Sequence, residues 1–427
     1  MKHVYFSATQ IFAYLATIFI TLAGTATVEA EWNTNSGLDF FNLSYQSVQP
    51  LPFTERANFG GGARPIVVFD VEGLYSAVND TQNAGRQVAL APGVYYLSVN
   101  GPGGVPRPNK GRLELQENMS LQGVFDDRGA VVIDAVNLPA SSYSAPPIPL
   151  TGAIRMGRGS NSIEWLTVRN AVNGNANIGT ELVSTGTVYI RVAHVASTNS
   201  QRGMDLRNFG ATGAGRVIEA EIVDNDFYNN RIGTLGEGLR IVNNNGANGG
   251  RISARLTDNR SYGNYLGLII ENNRSNFANI SVVSSGDQFF ENGLGALVGA
   301  GLSAVSTPAN GNTVNFTAYG STFENNNGFN NFDHGGLIVI GGENTSIPNG
   351  TSNNTVNVEL RGCVLANNQL MDLGAFGARS YPISVGLPGT NNRVTIAGFG
   401  PRRGSNVVWA DSIPDYPGGG NSVTFIH

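Results

Sequence analysis

The sequence predicts a right-handed parallel β-helix with three strands per coil and a helical cap at its N-terminal end. Three observations carry the prediction: a recurring period-two strand, an asparagine at a fixed distance behind it, and a composition that excludes the alternatives. Alternating segments begin at Ile218, Ile252, Val314 and Val356, each with apolar residues at every second position. That is a strand with one buried face. Ile163, Val188, Ile280, Val394 and Val423 begin similar segments, so the unit recurs at intervals of 25 to 42 residues. A fixed strand at variable spacing marks one solenoid whose coils carry loops of different length.

The asparagines supply the second observation. At a constant offset behind the strand starts stand Asn175, Asn230, Asn264, Asn292, Asn326, Asn368 and Asn406. The Val188 coil departs, with Ser200 at that offset and Asn199 one place earlier. A buried Asn at a bend bonds to its equivalent one coil away, about 4.8 Å along the axis. Further strands start at Gly203, Gly238, Gly267 and Gly336. A third, short strand must close each coil, and its signal is weak.

Composition completes the case. The 427 residues are 13% charged and 41% apolar and include 56 glycines. Ordinary globular chains carry about 25% charged residues and about 7% glycine. The apolar share excludes wholesale disorder, and the shortage of Ala, Leu, Glu and Lys patterns excludes helical bundles. A net charge of −5 offers no basic surface, so no nucleic-acid partner is expected. Lys2 and Lys110 are the sole lysines, and Cys363 the sole cysteine, so no internal disulfide forms. Cys363 follows the Val356 strand among apolar neighbours and is expected to be a buried, inert thiol.

The ends need their own reading. Lys2 and His3 precede an apolar stretch around residues 11–20, then Gly24 and the small-residue site Val28-Glu29-Ala30. This order predicts a signal peptide over 1–30, with an uncleaved anchor as the alternative. The mature chain is then secreted or extracytoplasmic, without a membrane span, and expected to be a monomer. Residues 31–65 form an extended lead-in and 66–427 the β-helix with its capping ends. Apolar residues at helical spacing over 71–78 predict the cap, since an uncovered end exposes apolar side chains and strand edges. The Pro- and Gly-rich stretch 401–420 covers the last coil. Insertions at 299–313 and 341–355 share one corner, and 327–335 and 369–377 another. Loops stacked on one side of a solenoid wall a groove.

This repeat pattern resembles the pectate-lyase-like family of β-helix proteins over roughly residues 66–426. The resemblance implies carbohydrate chemistry: a calcium site and a Lys or Arg base beside a uronate carboxylate, the base here an arginine. No lyase motif surrounds any arginine. Asp333-His334-Gly335-Gly336 is similar to the Gly-His-Gly element of polygalacturonase-like hydrolases, but that family's Asp-Asp and Arg-x-Lys elements do not follow it, and Asp126-Asp127 is too early in the chain.

The register places one cluster of ionisable residues. Six positions after the strand starts stand Arg169, His194, Asp224 and Asp258, with Asp226 and Asp287 at the same bend. Asp224, Asp226, Asp258 and Asp287 offer oxygen ligands for Ca²⁺. Asp224 and Asp258 equally suit acid–base catalysis, with His194 as proton acceptor and Arg169 as anion clamp. The same Asp and Asn residues also make ordinary turns. Arg191, Glu221 and Arg255 read as a surface ion-pair ladder, as do Asp205 and Arg240. Tyr and Asn on a weakly charged surface suit sugar stacking and hydrogen bonding. The expectation is an exported β-helix engaging polysaccharide, uronate-containing polymers among them, as a lyase or hydrolase. The alternative is a non-catalytic surface or adhesion rod.

Overall fold

The computed structural model describes residues 27–32, 41–46, 64–143, 152–180, 186–210, 213–233, 236–303, 308–328, 335–344, 351–380, 389–398, 402–403, 407–413 and 419–426. The chain divides into Met1–Ala57 and Asn58–His427. In the first unit, Thr27–Trp32 pairs antiparallel with Phe41–Gln46. Most of the expected signal peptide and lead-in lies outside the described residues, as do Asp333, His334 and Asn406.

Among the described residues the second unit is a parallel β-helix of three long sheets, with 12, 10 and 10 strands, beside a two-stranded pairing of Ala309–Asn310 with Thr351–Ser352. One coil shows the plan: Val217–Val223 in the first sheet, Asp226–Tyr228 in the second, Glu237–Asn244 in the third. The second-sheet strands are the short ones whose signal is weak. Three-residue segments such as Asp226–Tyr228 are too brief to show a period.

Alternation becomes columns. Ile218 pairs with Ile252, Ile252 with Ile280, Ile280 with Val314, and Val314 with Val356. All are buried. The third sheet stacks Leu206, Ile241, Ile270 and Val298 in the same way. Burial is non-directional, so the columns alone do not fix the register. Hydrogen-bonded ladders do.

At the bend from the second to the third sheet, Asn230 Nδ2 and N–H both donate to Asn264 Oδ1 (3.2 and 2.9 Å). Asn264 repeats this to Asn292, Asn292 to Asn326, and Asn326 to Asn368. Ser200 heads the ladder and Asp372 ends it. Glycines interlock with it: a Cβ at Gly238 would meet Ser261 Oγ at 2.1 Å and Asn264 Nδ2 at 2.9 Å. The glycine before each third-sheet strand is therefore a space requirement. A second ladder runs through the first bend, from Asn225 to Asn259 to Asp287.

The Ile163 coil corrects the expected register. Ile163 pairs with Val192, not Val188, because its strand is the four-residue Asn161–Glu164 while its neighbour spans Thr187–Ala193. Arg169 and Asn175 therefore leave their columns. Arg169 lies on the second sheet beside Thr198, and Asn177 bonds at the bend in place of Asn175.

The cap forms as expected. Helix Val71–Val78 starts at Asp70, whose carboxylate accepts from Gly73 N–H (2.8 Å), and buries Leu74, Tyr75, Ala77 and Val78. Cys363 is buried in the first-bend column, its Sγ donating to Ala318 O (3.3 Å), and burial pushes the thiol up. Among the described residues no helix is long and apolar enough to cross a membrane.

Candidate functional site

The first bend is two residues long in coil after coil, at 224–225, 258–259 and 286–287. Its first residue has positive φ: Gly286, Gly320, Gly362 and Gly398 in later coils, but Trp165, His194, Asp224 and Asp258 in earlier ones. Trp165, not Arg169, is thus the neighbour of His194. Side chains in this backbone region are costly.

These side chains bond along the axis. The Trp165 and His194 rings stack at 3.8 Å and 12°. His194 Nδ1 lies 2.8 Å from Asp224 Oδ2. Arg128 reaches from the loop 124–130 to donate to Asp224 Oδ2 (2.9 Å) and Asp226 Oδ2 (3.0 Å). Arg260 grips Asp226 through both oxygens (2.7 and 2.8 Å). Burial raises the Asp224 carboxyl, but the His194 hydrogen bond and the Arg128 charge outweigh it and hold it below the ordinary carboxylate range. Asp258 is exposed, and its carboxylate has no hydrogen-bond or ion-pair partner among the described residues. Arg169 instead donates to Asp134 (2.8 Å).

Asp287 departs most from expectation. It faces inward, fully buried, accepting from Asn259 and bonded to Ser284 Oγ (2.5 Å). Burial pushes it up to about 7 against those hydrogen bonds. The four aspartates do not fit a shared Ca²⁺. Guanidinium groups stand where a cation would sit on Asp224 and Asp226, and Asp287 points into the core. Among the described residues no group of three or more His, Cys, Asp or Glu is placed to hold a metal ion.

Beside this bend, Tyr228, Tyr262 and Phe290 stack at 5.3 and 5.0 Å on the second sheet. Rings stacked on one another cover their own faces, so this ladder offers a sugar only edges. Arg191 pairs with Glu164 and Glu221 as a surface ladder, which Arg255 does not join.

A second ionic cluster lies on the outer face of the third sheet. Both ends of this sheet carry the longer connections, for example 229–236 before Glu237–Asn244 and 245–250 after it. Asp205 pairs in register with Arg240, and Arg202 with Glu237, while Glu271 lies two positions beyond the rung of Arg240. Outward charges on a sheet are normally solvated. Here Asp205 is 0% exposed and Glu271 8%. Arg202 Nε bonds Glu237, Arg240 Nη1 lies 3.4 Å from Asp205 Oδ1, and Arg207 Nε lies 3.6 Å from Asp205 Oδ2. Asp205 Oδ2 makes no hydrogen bond among the described residues.

Environment drives two of these carboxyls apart. Burial raises Asp205, but Arg207, Arg240 and Arg202 outweigh it and hold the group below its ordinary value. For Glu271 burial wins over Arg240, with Glu343 and Glu237 adding to it, and the carboxyl is pushed up to about 7. The sequence marks this cluster only as the pair Asp205 and Arg240. The available signal was the run of charges at alternate positions of the third-sheet strands, Asp205 and Arg207 among them.

No family model matches the chain, and no curated protein does. Solved structures resemble it. The A-module of mannuronan C-5 epimerase AlgE4 from Azotobacter vinelandii is 15% identical, with a TM-score of 0.45 over 86% of this chain and 92% of that one. The AlgE6 A-module from the same organism is 16% identical, with a TM-score of 0.37 over 82% and 97%. Pectate lyase Pel9A is 14% identical, with a TM-score of 0.38 over 86% and 84%. At these identities the likeness is one of fold, to β-helices of the pectate-lyase and mannuronan-epimerase kind.

Proposed function

We propose that the chain is a polysaccharide-acting enzyme whose chemistry sits on the outer face of the third sheet. One observation carries this: the carboxyls of Asp205 and Glu271 are buried on one face with Arg202, Arg207 and Arg240, where burial pushes Glu271 up to about 7 and the arginines hold Asp205 below its ordinary value. Carboxyls on one face whose surroundings drive their protonation in opposite directions mark candidate acid–base groups. A carboxyl titrating near neutrality both gives and takes a proton, so Glu271 is the proton-transfer group. Arg240 and Arg202 are the groups that would face a uronate carboxylate, and Asp205 holds Arg240 in place.

The bend residues His194, Asp224 and Asp258 take no part in this reading, because Arg128 and His194 already engage Asp224. The reading requires the face to open to substrate, since Asp205 is fully enclosed. That enclosure favours the second reading, a non-catalytic rod in which the network is structural.

Turnover of polygalacturonate and polymannuronate separates them, followed by ultraviolet absorbance of unsaturated products and by new reducing ends. Activity with Glu271→Gln reduced by about 10²- to 10⁴-fold, the fold intact, is the expected result. A protein inert on both polymers leaves the rod.

A further inference from the structure

We infer that the first sheet carries a separate binding site for a pyranose-containing oligosaccharide, built around Phe277. The site lies where the third sheet turns into the first, on a different face from Glu271. Successive coils align there through backbone bonds: Gly249 N–H donates to Asn276 O, Phe277 N–H to Asn310 O, and Gly311 N–H to Ser352 O (each 2.9 Å). Every described residue of this column from Gly215 on has positive φ: Gly215, Gly249, Phe277, Gly311, Asn353, Asn391 and Gly420. Glycine and asparagine are the residues that tolerate this conformation. Phe277, at φ 54, is the exception.

The phenylalanine gains nothing from burial to offset that strain, because it is 75% exposed. A strained residue held against both propensity and the hydrophobic effect points to a task outside folding. Its ring lies over Gly311, where a Cβ would stand 2.8 Å from a ring carbon, so the neighbouring coil leaves room for it. Beside the ring is a groove of about 380 Å³ whose lining includes Glu219, Arg251, Ser253 and Ser281. None of these four side chains has a hydrogen-bond or ion-pair partner among the described residues.

One aromatic ring beside a row of free hydroxyl, carboxylate and guanidinium groups is the chemistry that holds a sugar. The apolar face of a pyranose stacks on the ring while its hydroxyls bond the floor. The volume is at the small end of the ~300–1,000 Å³ of small-molecule sites, room for a short segment of chain. Glu219 and Arg251 balance in charge, so the site does not demand an acidic sugar. This contrasts with Tyr228, Tyr262 and Phe290, whose faces are spent on one another.

Calorimetric titration of the whole protein with hexamers of galacturonate, mannuronate and β-1,4-glucose tests the inference. At least one hexamer should bind. Phe277→Asn, which restores a residue type already present in the column, should weaken that binding about tenfold or more while the melting temperature holds or rises. Phe277→Trp should retain binding within a few-fold. Binding of none of the three hexamers, or equal binding by Phe277→Asn, overturns it.

Discussion

At residue scale, Asp287 occupies a position that neighbouring coils fill with Asn259 on one side and Ser321 on the other. Its Oδ1 accepts from Asn259 as an amide oxygen would, and Ser284, which donates to Oδ2, has Ser321 Oγ at 2.9 Å as another acceptor, leaving its oxygen for an amide N–H. Because its folded value of about 7 lies above the ordinary 3.8, the folded state holds the proton more tightly than the unfolded chain. Its favourable contribution is complete below about pH 4 and is lost as pH rises through 7. Asp287→Asn should therefore stabilise the protein at pH 8, by on the order of 1–3 kcal/mol, and change little at pH 4. Urea unfolding at the two pH values checks this; equal gains at both would contradict the buried, protonated carboxyl. The inward position of Asp287 was not legible from sequence, because one step along a bend reverses which way a side chain points. Asp224 and Asp287 read alike as letters, yet one faces Arg128 and the other the core.

At the scale of one element, the third-sheet strand shows how close approach selects sequence. Gly203, Gly238, Gly267, Gly295 and Gly336 form a column in which a Cβ would meet the next coil's backbone oxygen at 2.4 to 2.7 Å. The neighbouring Asn ladder fills what space remains. Gly238→Ala should cost about 1–3 kcal/mol, as overpacking does in rigid interiors. A fall in melting temperature that leaves the β-sheet circular dichroism unchanged before unfolding is the expected reading. A neutral substitution would show that the coils slide apart freely. The glycines and asparagines were visible in the sequence and their spacing exposed the fold. The slip at Ile163 was not visible, since Asn161–Glu164 and Thr187–Ala193 differ in length and only pairing tells which ends align.

For the molecule as a whole, a solenoid is stable only if its ends are closed. The first-sheet strand Ile66–Val68 begins the stack, and the helix Val71–Val78 packs on that end with Leu74 fully buried. Leu74→Asp should lift the cap and present apolar columns and strand edges to other molecules. Light scattering after size exclusion should then show larger species than the unaltered protein gives. A variant of unchanged size and equal stability would deny the helix its capping role.

The sequence by itself determined the solenoid, its cap, the asparagine ladder from Asn230 to Asn368 and the buried Cys363. Each of these rests on periodicity, and periodicity survives in one dimension. Only the tertiary structure decided that Trp165 rather than Arg169 joins His194, that Arg128 crosses from an earlier loop to Asp224 and Asp226, and that Asp205, Arg240 and Glu271 are buried together. It also exposed Phe277 as the one bulky residue in a column of glycines and asparagines. These depend on which side chains face each other across coils and on how much water reaches them. Spacing along the chain encodes neither, because each loop resets the distance between partners that stand only about 4.8 Å apart in space.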